Sequence, residues 1–239
     1  EGKVVVVTGG SRGIGEMIAA GYLANGAKVY ISARKAEVCD ATAKRLSEQF
    51  GGECISLPAD ASTVEGCEAL ANEIKKRESR LDILVNNAGA SWGAPLEEFP
   101  EVGWDKVMDI NVKGVFFLTQ KLLPLLEAGA TSEDPSRVIN VGSIDGLSTP
   151  AFETFSYGPS KAAVHHLMEQ AQRGLRIAQD AVALGEAREG DDVRLASILL
   201  HLLQQGLRLD LVAPQAVGGT HPPPPPPHPP RPPPAPRPA

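Results

Sequence analysis

The chain is poor in cysteine, and Cys39, Cys54 and Cys67 show neither a paired nor a metal-ligand spacing. This pattern favours reduced, buried thiols in an intracellular compartment over a disulfide framework or a metal site. Long apolar runs are also missing, and the sequence opens directly into a strand pattern without the regions of a signal peptide. We therefore expect no metal, no membrane partner and, by default, a cytoplasmic location.

An excess of positive charge is absent as well. The 239 residues carry a formal net charge of -6, which argues against a nucleic-acid partner. Hydrophobic residues make up 42% of the chain, enough for the core of one α/β domain. The composition thus favours a protein that acts on a small molecule.

Strand-like and helix-like segments alternate through the first 170 residues. Short apolar runs predict buried strands, and the longer amphipathic stretches between them predict helices. Such repeated β-α units imply an α/β, doubly wound parallel sheet of the Rossmann type, over residues 1–170. The predicted strands are Val4–Val7, Lys28–Ser32, Cys54–Leu57, Asp82–Val85 and Arg137–Val141, and the predicted helices are Gly13–Asn25, Glu37–Phe50, Val64–Arg77 and Trp104–Leu126.

The last third of the chain has a different composition. No aromatic residue follows Tyr157, and no lysine follows Lys161. Residues 171–220 are interpreted as an atypical helical segment, with helices at Gly174–Leu184 and Val193–Leu207, in which Leu209–Gln215 is the sole candidate for a sixth strand. Residues 221–239 are almost pure proline and predict a disordered tail. That tail could bind an SH3-type or WW-type partner, although unstructured filler is the preferred interpretation.

A glycine-rich segment, Thr8–Gly15, directly follows the first strand and opens the first helix. Glycines there permit a tight turn and a close approach of backbone to a pyrophosphate, while the helix N-terminus offers unpaired N–H groups. The alternative is a turn that serves packing only. The segment predicts these cofactor-binding residues: Gly9, Ser11, Arg12, Gly13, Ile14 and Gly15.

The end of the second strand predicts which dinucleotide binds. An acidic residue at this point would grip the ribose 2′-hydroxyl of NAD, but the sequence has Arg34 and Lys35 instead. Together with Arg12, these cations suit a 2′-phosphate. We therefore predict NADP(H) as the cofactor, against the alternative that Arg34 and Lys35 are ordinary solvent charges at a helix entry.

Tyr157 and Lys161 are four residues apart, so in a helix they share one face. A neighbouring ammonium can supply part of the roughly 4 kcal/mol needed to bring a tyrosine pKa from about 10 toward neutrality. Alone, the pair is weak, because this spacing often occurs on a solvated helix face. In this sequence it follows the glycine turn, an Asn-Asn-Ala-Gly segment, Asn111 and Ser143 in one order.

With these residues, the chain up to about Met168 resembles the short-chain dehydrogenase/reductase family. Within that family, Ser91–Leu96 and Val138–Ser143 look most like 3-oxoacyl-acyl-carrier-protein reductases of the rhamnolipid-biosynthesis type. Beyond Met168 the family pattern is not evident, and we interpret the remaining sequence as non-homologous. The resemblance implies a homo-oligomer, although the atypical C-terminal part argues against the usual interface.

The resemblance also implies residue roles. Asp60 and Ala61 would contact the adenine, and Asn87, Ala88 and Gly89 would lie beneath the nicotinamide ribose. In the catalytic set, Asn111 would hold a water of a proton relay and Ser143 would bind the substrate carbonyl. Tyr157 would be the general acid and also contact the cofactor, and Lys161 would lower the pKa of Tyr157 and bind the ribose.

These roles predict an NADP(H)-dependent reductase of a ketone, most simply a 3-oxoacyl thioester. Two alternatives stay open: an inactive cofactor-binding or interaction module, and a dehydrogenase of other alcohols or sugars that shares every named residue. Apolar side chains in the loops are compatible with an acyl chain, and equally with core packing. They are Trp92, Leu96, Phe99, Phe152 and Phe155.

Overall fold

The structure is a computed structural model, which describes residues 2–149, 152–172 and 178–182. Its centre is a parallel sheet of six strands in the order β3-β2-β1-β4-β5-β6. The strands are β1 Val4–Thr8, β2 Lys28–Ser32, β3 Cys54–Ser56, β4 Ile83–Asn86, β5 Arg137–Val141 and β6 Ala178–Val182. The order reverses between β1 and β4, and in such sheets ligands bind in the crevice at this switch point.

Helices connect successive strands in the manner of β-α units. The longer ones are α1 Gly13–Ala24, α2 Ala36–Phe50, α3 Val64–Lys75, α4 Glu101–Met108, α5 Gly114–Gly129 and α6 Tyr157–Gln172. A π-helical turn, Asp109–Lys113, joins α4 to α5, and short 3-10 turns lie at Leu96–Glu98 and Ile144–Gly146. Across the described ranges, no helix is long and apolar enough to cross a membrane. The cytoplasmic location stays a prediction from the sequence.

The core lies on both faces of the sheet. Val4 and Val6 point to one face, in a cluster with apolar side chains of α3 and α5. Val5 and Val7 point to the other face and pack with side chains of α1 and α2. Because strand side chains alternate between faces, burial on both sides explains the unbroken apolar run of β1. The predicted doubly wound fold is confirmed.

The helical stretch predicted at Trp104–Leu126 is confirmed, and it contains the π-helical turn that carries Asn111, which the sequence did not predict. The helix predicted at Gly174–Leu184 is wrong, because Ala178–Val182 forms β6 and pairs in parallel with β5. Pairing satisfies the backbone groups along the edge of β5, and such tertiary pairing overrides local helix propensity.

The strand β6 also takes the place for which Leu209–Gln215 was the sole candidate. Leu209–Gln215, the predicted helix Val193–Leu207 and the proline-rich tail lie outside the described residues.

Candidate active site

The glycine turn lies where β1 gives way to α1. Gly9 has φ of +65°, a conformation that favours glycine, and a Cβ on Gly15 would lie 2.3 Å from the carbonyl oxygen of Gly9. The turn is tied to the end of β4, because the Thr8 hydroxyl accepts the backbone N–H groups of Asn87 and Ala88, each at 3.0 Å. In return, Nδ2 of Asn87 donates to the Thr8 carbonyl at 3.0 Å. The two segments therefore form one rigid unit at the switch point.

A cavity of about 550 Å³ opens beside this turn. It brings together every residue that was predicted to bind the cofactor, apart from Tyr157 and Lys161. These are Gly9, Ser11, Arg12, Gly13, Ile14, Gly15, Arg34, Lys35, Asp60, Ala61, Asn87, Ala88 and Gly89. This placement supports the predicted roles of these residues. The roles themselves stay predictions, because lining a cavity does not establish a contact with a cofactor.

Sequence reasoning missed other residues that line the cavity, among them Val38, Lys106 and Ile110. Val38 lies on the exposed first turn of α2, and Lys106 and Ile110 lie in α4 and the π-helical turn. The signal for Val38 was its place just after Arg34 and Lys35. No sequence pattern pointed to Lys106 or Ile110, because their approach depends on how α4 packs.

Several positively charged side chains line the cavity. Arg12, Arg34 and Lys35 line it, and within the segments given above none of them makes an ion pair. The Asp60 carboxylate is already engaged, since it accepts the backbone N–H of Ser62 at 3.0 Å and its hydroxyl at 2.7 Å. The three cations are thus available to an anion.

Asn111 is 1% exposed and connects three elements. Its Oδ1 accepts the backbone N–H of Ala90, and its Nδ2 donates to the Ala90 carbonyl and to Oγ of Ser160, all at 2.9 Å. Ser160 in turn donates to the Tyr157 carbonyl at 2.7 Å. The π-helical turn therefore places Asn111 between the segment after β4 and the first turn of α6, and π turns often occur at functional sites. The role of Asn111 in holding a water stays a prediction.

Tyr157 and Lys161 share the first turn of α6, as their spacing predicted. Nζ of Lys161 lies 5.6 Å from the centre of the Tyr157 ring and donates to the Val141 carbonyl at 2.7 Å. Lys161 is only 6% exposed. Burial disfavours its charged form and lowers the pKa of Lys161 to about 8. A lysine pKa lowered this far toward neutral pH is typical of functional sites.

Ser143 follows β5 and begins the 3-10 turn Ile144–Gly146. Its Oγ accepts the backbone N–H of Asp145 at 3.2 Å. A hydroxyl that accepts one hydrogen bond keeps its own proton for a second partner. The Ser143 carbonyl accepts the N–H of Gly146 at 3.1 Å and lies 3.4 Å from Nε2 of His165 in α6. The turn is therefore fixed against α6, on the same side as Tyr157 and Lys161.

Several apolar side chains lie in the loops that follow β4 and β5, and we call Leu96, Phe99, Leu147, Phe152 and Phe155 the apolar rim. The rings of Phe99 and Phe155 meet edge to face, with centroids 5.8 Å apart. The backbone N–H of Ala94 donates to the Glu153 carbonyl at 3.1 Å, and the N–H of Tyr157 donates to the Thr154 carbonyl at 3.0 Å. The segment that carries Phe152 and Phe155 is thus joined to the loop at Ala94 and to the start of α6 at Tyr157, and Phe152 is 78% exposed.

A family profile described as short chain dehydrogenase matches residues 3–184. The chain belongs to the short-chain dehydrogenase family. It is therefore an oxidoreductase by family, and the predicted resemblance is confirmed. The prediction that the family pattern ends near Met168 is wrong, because the match continues to residue 184 and includes β6.

One curated protein and two solved structures are similar over most of the chain. A Pseudomonas aeruginosa protein named rhamnolipids biosynthesis 3-oxoacyl-(acyl-carrier-protein) reductase is 52% identical over 174 residues, which cover 73% of this chain and 67% of that protein. The solved structure of a Pseudomonas aeruginosa RhlG/NADP active-site complex is 46% identical, with a TM-score of 0.74, covering 85% of this chain and 77% of that one. A metagenomic short-chain oxidoreductase in complex with NADP is 34% identical, with a TM-score of 0.73, covering 84% and 90%.

Proposed function

We propose that this oxidoreductase uses NADP(H) to reduce a ketone, and that a 3-oxoacyl thioester is its substrate class. The observation that carries the proposal is the joint placement of two halves of a site. The glycine turn and its cavity lie at the switch point of the sheet, and Ser143, Tyr157 and Lys161 lie together around the end of β5 and the start of α6.

The residues of the cavity fit a dinucleotide phosphate. A Cβ at Gly15 would fill the turn, and the N-terminus of α1 opens beside it with unpaired N–H groups. Arg12, Arg34 and Lys35 would hold the 2′-phosphate, since guanidinium and ammonium groups pair with phosphate oxygens. Two similar proteins are described as NADP complexes, which supports this choice.

The bound cofactor would supply the hydride to the carbonyl carbon. Ser143 would donate a hydrogen bond from Oγ to the carbonyl oxygen, and Tyr157 would give its phenolic proton to that oxygen as the alkoxide forms. The products are then the hydroxy compound and a phenolate. Lys161 beside the Tyr157 ring favours that phenolate when its Nζ is protonated, and Asn111 fixes the segment after β4 on which the ribose would rest.

The apolar rim supports an acyl chain as the part of the substrate next to the carbonyl. Exposed Leu96, Leu147 and Phe152 would be covered by such a chain, at about 25 cal/mol for each Å² of apolar surface removed from water. The similarity to a protein named as a 3-oxoacyl-acyl-carrier-protein reductase points the same way. A homo-oligomer, which the family resemblance implied, is part of this proposal.

The test is loss of NADPH absorbance with the purified chain and a series of 3-oxoacyl thioesters of increasing length. We expect kcat/KM to rise with chain length as more of the rim is covered, and NADH to support slower turnover. The Tyr157→Phe variant is the control for background oxidation. Turnover of small alcohols or sugars without turnover of any thioester would favour the alternative dehydrogenase and contradict the substrate class. Cofactor binding without turnover of any substrate would favour the inactive module.

A further inference from the structure

Thr42 lies in the middle of α2 and makes an unusual contact for a helical threonine. Its Oγ1 donates to the carbonyl oxygen of Ser11 at 3.0 Å, across 31 residues of sequence, and the side chain is 5% exposed. Threonine hydroxyls within helices commonly bond a carbonyl of their own preceding turn. Here the hydroxyl instead links α2 to the glycine turn. Thr42 does not line the cavity, whereas Ser11 and Arg12 do.

This bond sets the direction of one peptide group. The carbonyl of Ser11 and the N–H of Arg12 belong to the same planar, trans peptide, so they point in opposite directions. Because Thr42 holds the carbonyl toward α2, the N–H of Arg12 is turned away from α2. If the peptide were reversed, a carbonyl oxygen would take the place of that donor and would repel a phosphate. The bond therefore favours the orientation that suits an anion.

The glycine turn also meets the end of β2. The backbone N–H of Gly10 donates to the Ser32 carbonyl at 3.2 Å, which joins the turn to the segment that continues into Arg34 and Lys35. Arg12, Arg34 and Lys35 all line the cavity. The backbone of Arg12 is extended, with φ of -166°, and its side chain makes no ion pair in the described part of the chain.

We infer that Thr42 is a positioning residue that sets the preference for NADPH over NADH, by fixing the Ser11–Arg12 peptide beside the site of the 2′-phosphate. The inference rests on the proposed function for the identity of the anion. Thr42 itself contacts no cofactor. Its effect is transmitted by one hydrogen bond, and that bond can be removed almost without a change of side-chain volume.

The test compares NADPH and NADH affinities of the full chain, by fluorescence titration, for the wild type, Thr42→Val and Thr42→Ser. Valine removes the hydroxyl, and serine retains it. We expect Thr42→Val to raise the Kd for NADPH about tenfold, in line with the loss of one hydrogen bond, and the Kd for NADH less than about threefold. Thr42→Ser should restore both affinities to within about twofold of the wild type.

The matched control is Thr119→Val in α5, which removes a hydroxyl that donates to the Val115 carbonyl at 2.7 Å and accepts from Nδ2 of Asn86 at 3.1 Å. Neither Thr119 nor Asn86 lines the cavity, and Nδ2 of Asn86 keeps its bond to Oδ1 of Asn140 at 2.7 Å in this variant. We expect its NADPH-to-NADH ratio to equal that of the wild type. Melting temperatures without cofactor check that each variant folds. If Thr42→Val does not fold, Thr42→Ala replaces it.

Three results would overturn this inference and leave the proposed function untouched. They are an equal loss of affinity for both cofactors in Thr42→Val, unchanged affinities in Thr42→Val, and the same change of the NADPH-to-NADH ratio in Thr119→Val. A wild type that binds neither cofactor would overturn the proposed function, and this inference with it.

Discussion

Replacing Lys161 by methionine should stabilise the protein while it destroys the site. Lys161 is 6% exposed, and burial lowers its pKa from the ordinary value of 10.5 to about 8. A pKa difference of this size corresponds to about 3 kcal/mol of unfavourable free energy at pH 7, where the lysine is charged in the folded and the unfolded chain. Methionine has a similar length and carries no charge. Its Sδ cannot donate to the Val141 carbonyl, and the loss of this hydrogen bond cancels about 1 kcal/mol of the gain in stability.

The lowered pKa of Lys161 also fixes how the stability of the wild type changes with pH. Between about pH 8 and 10.5 the unfolded chain binds more protons at Lys161 than the folded chain does, so the wild type becomes more stable as the pH rises. The penalty of about 3 kcal/mol at pH 7 falls to roughly half of that at pH 9.5. Lys161→Met should therefore be more stable than the wild type by about 2 kcal/mol at pH 7, and by less than about 1 kcal/mol at pH 9.5.

Urea unfolding followed by circular dichroism at both pH values measures this difference, and titrating groups remote from Lys161 cancel between the two proteins. Lys44→Met is the control, because the Lys44 side chain is 79% exposed, and its difference from the wild type should not change with pH. A Lys161→Met variant that is less stable than the wild type at pH 7, with a difference independent of pH, would refute the reasoning. It would mean that Lys161 is solvated well enough to keep an ordinary pKa.

Three further predictions concern the site. Gly15→Ala should abolish detectable NADPH binding in a fluorescence titration, because its Cβ would lie 2.3 Å from the Gly9 carbonyl oxygen. Gly93→Ala is the control and should bind NADPH as the wild type does, because the nearest atom to a Cβ there is 3.8 Å away. Tyr157→Phe should lower kcat at least about a hundredfold and leave the Kd for NADPH within about twofold; equal kcat values would exclude Tyr157 as the acid. Ser160→Ala removes a partner of Asn111 and should lower kcat about tenfold with little change in that Kd; a large loss of affinity instead would assign Ser160 to cofactor binding.

The sheet was predictable because β1 to β5 are strongly patterned. Val4–Thr8 is buried on both faces and reads as an apolar run, and each later strand follows an amphipathic helix. The strand β6 was not predictable in this way. Alanine, glutamine and aspartate in Ala178–Val182 favour helix or neither state, and only the unpaired edge of β5 explains why a strand forms there.

The grouping of residues around the cavity could be predicted, because these residues follow strand ends that must meet at one edge of a parallel sheet. Contacts that depend on helix packing could not be predicted. The approach of Lys106 and Ile110 to the cavity, the π-helical turn that carries Asn111, and the bond from Thr42 to Ser11 leave no periodic signal in the sequence. Each of them is set by the distance between elements that are far apart along the chain.

The most direct measurement is the affinity of the purified full chain for NADPH and for NADH, repeated with an Arg34→Ala, Lys35→Ala double variant. We expect the wild type to bind NADPH at least about tenfold more tightly than NADH, since charge-assisted bonds to a phosphate contribute more than about 1.4 kcal/mol in total. The double variant should lose that preference and keep its affinity for NADH. A wild type that prefers NADH, or binds neither dinucleotide, would contradict the proposal of an NADP(H)-dependent reductase.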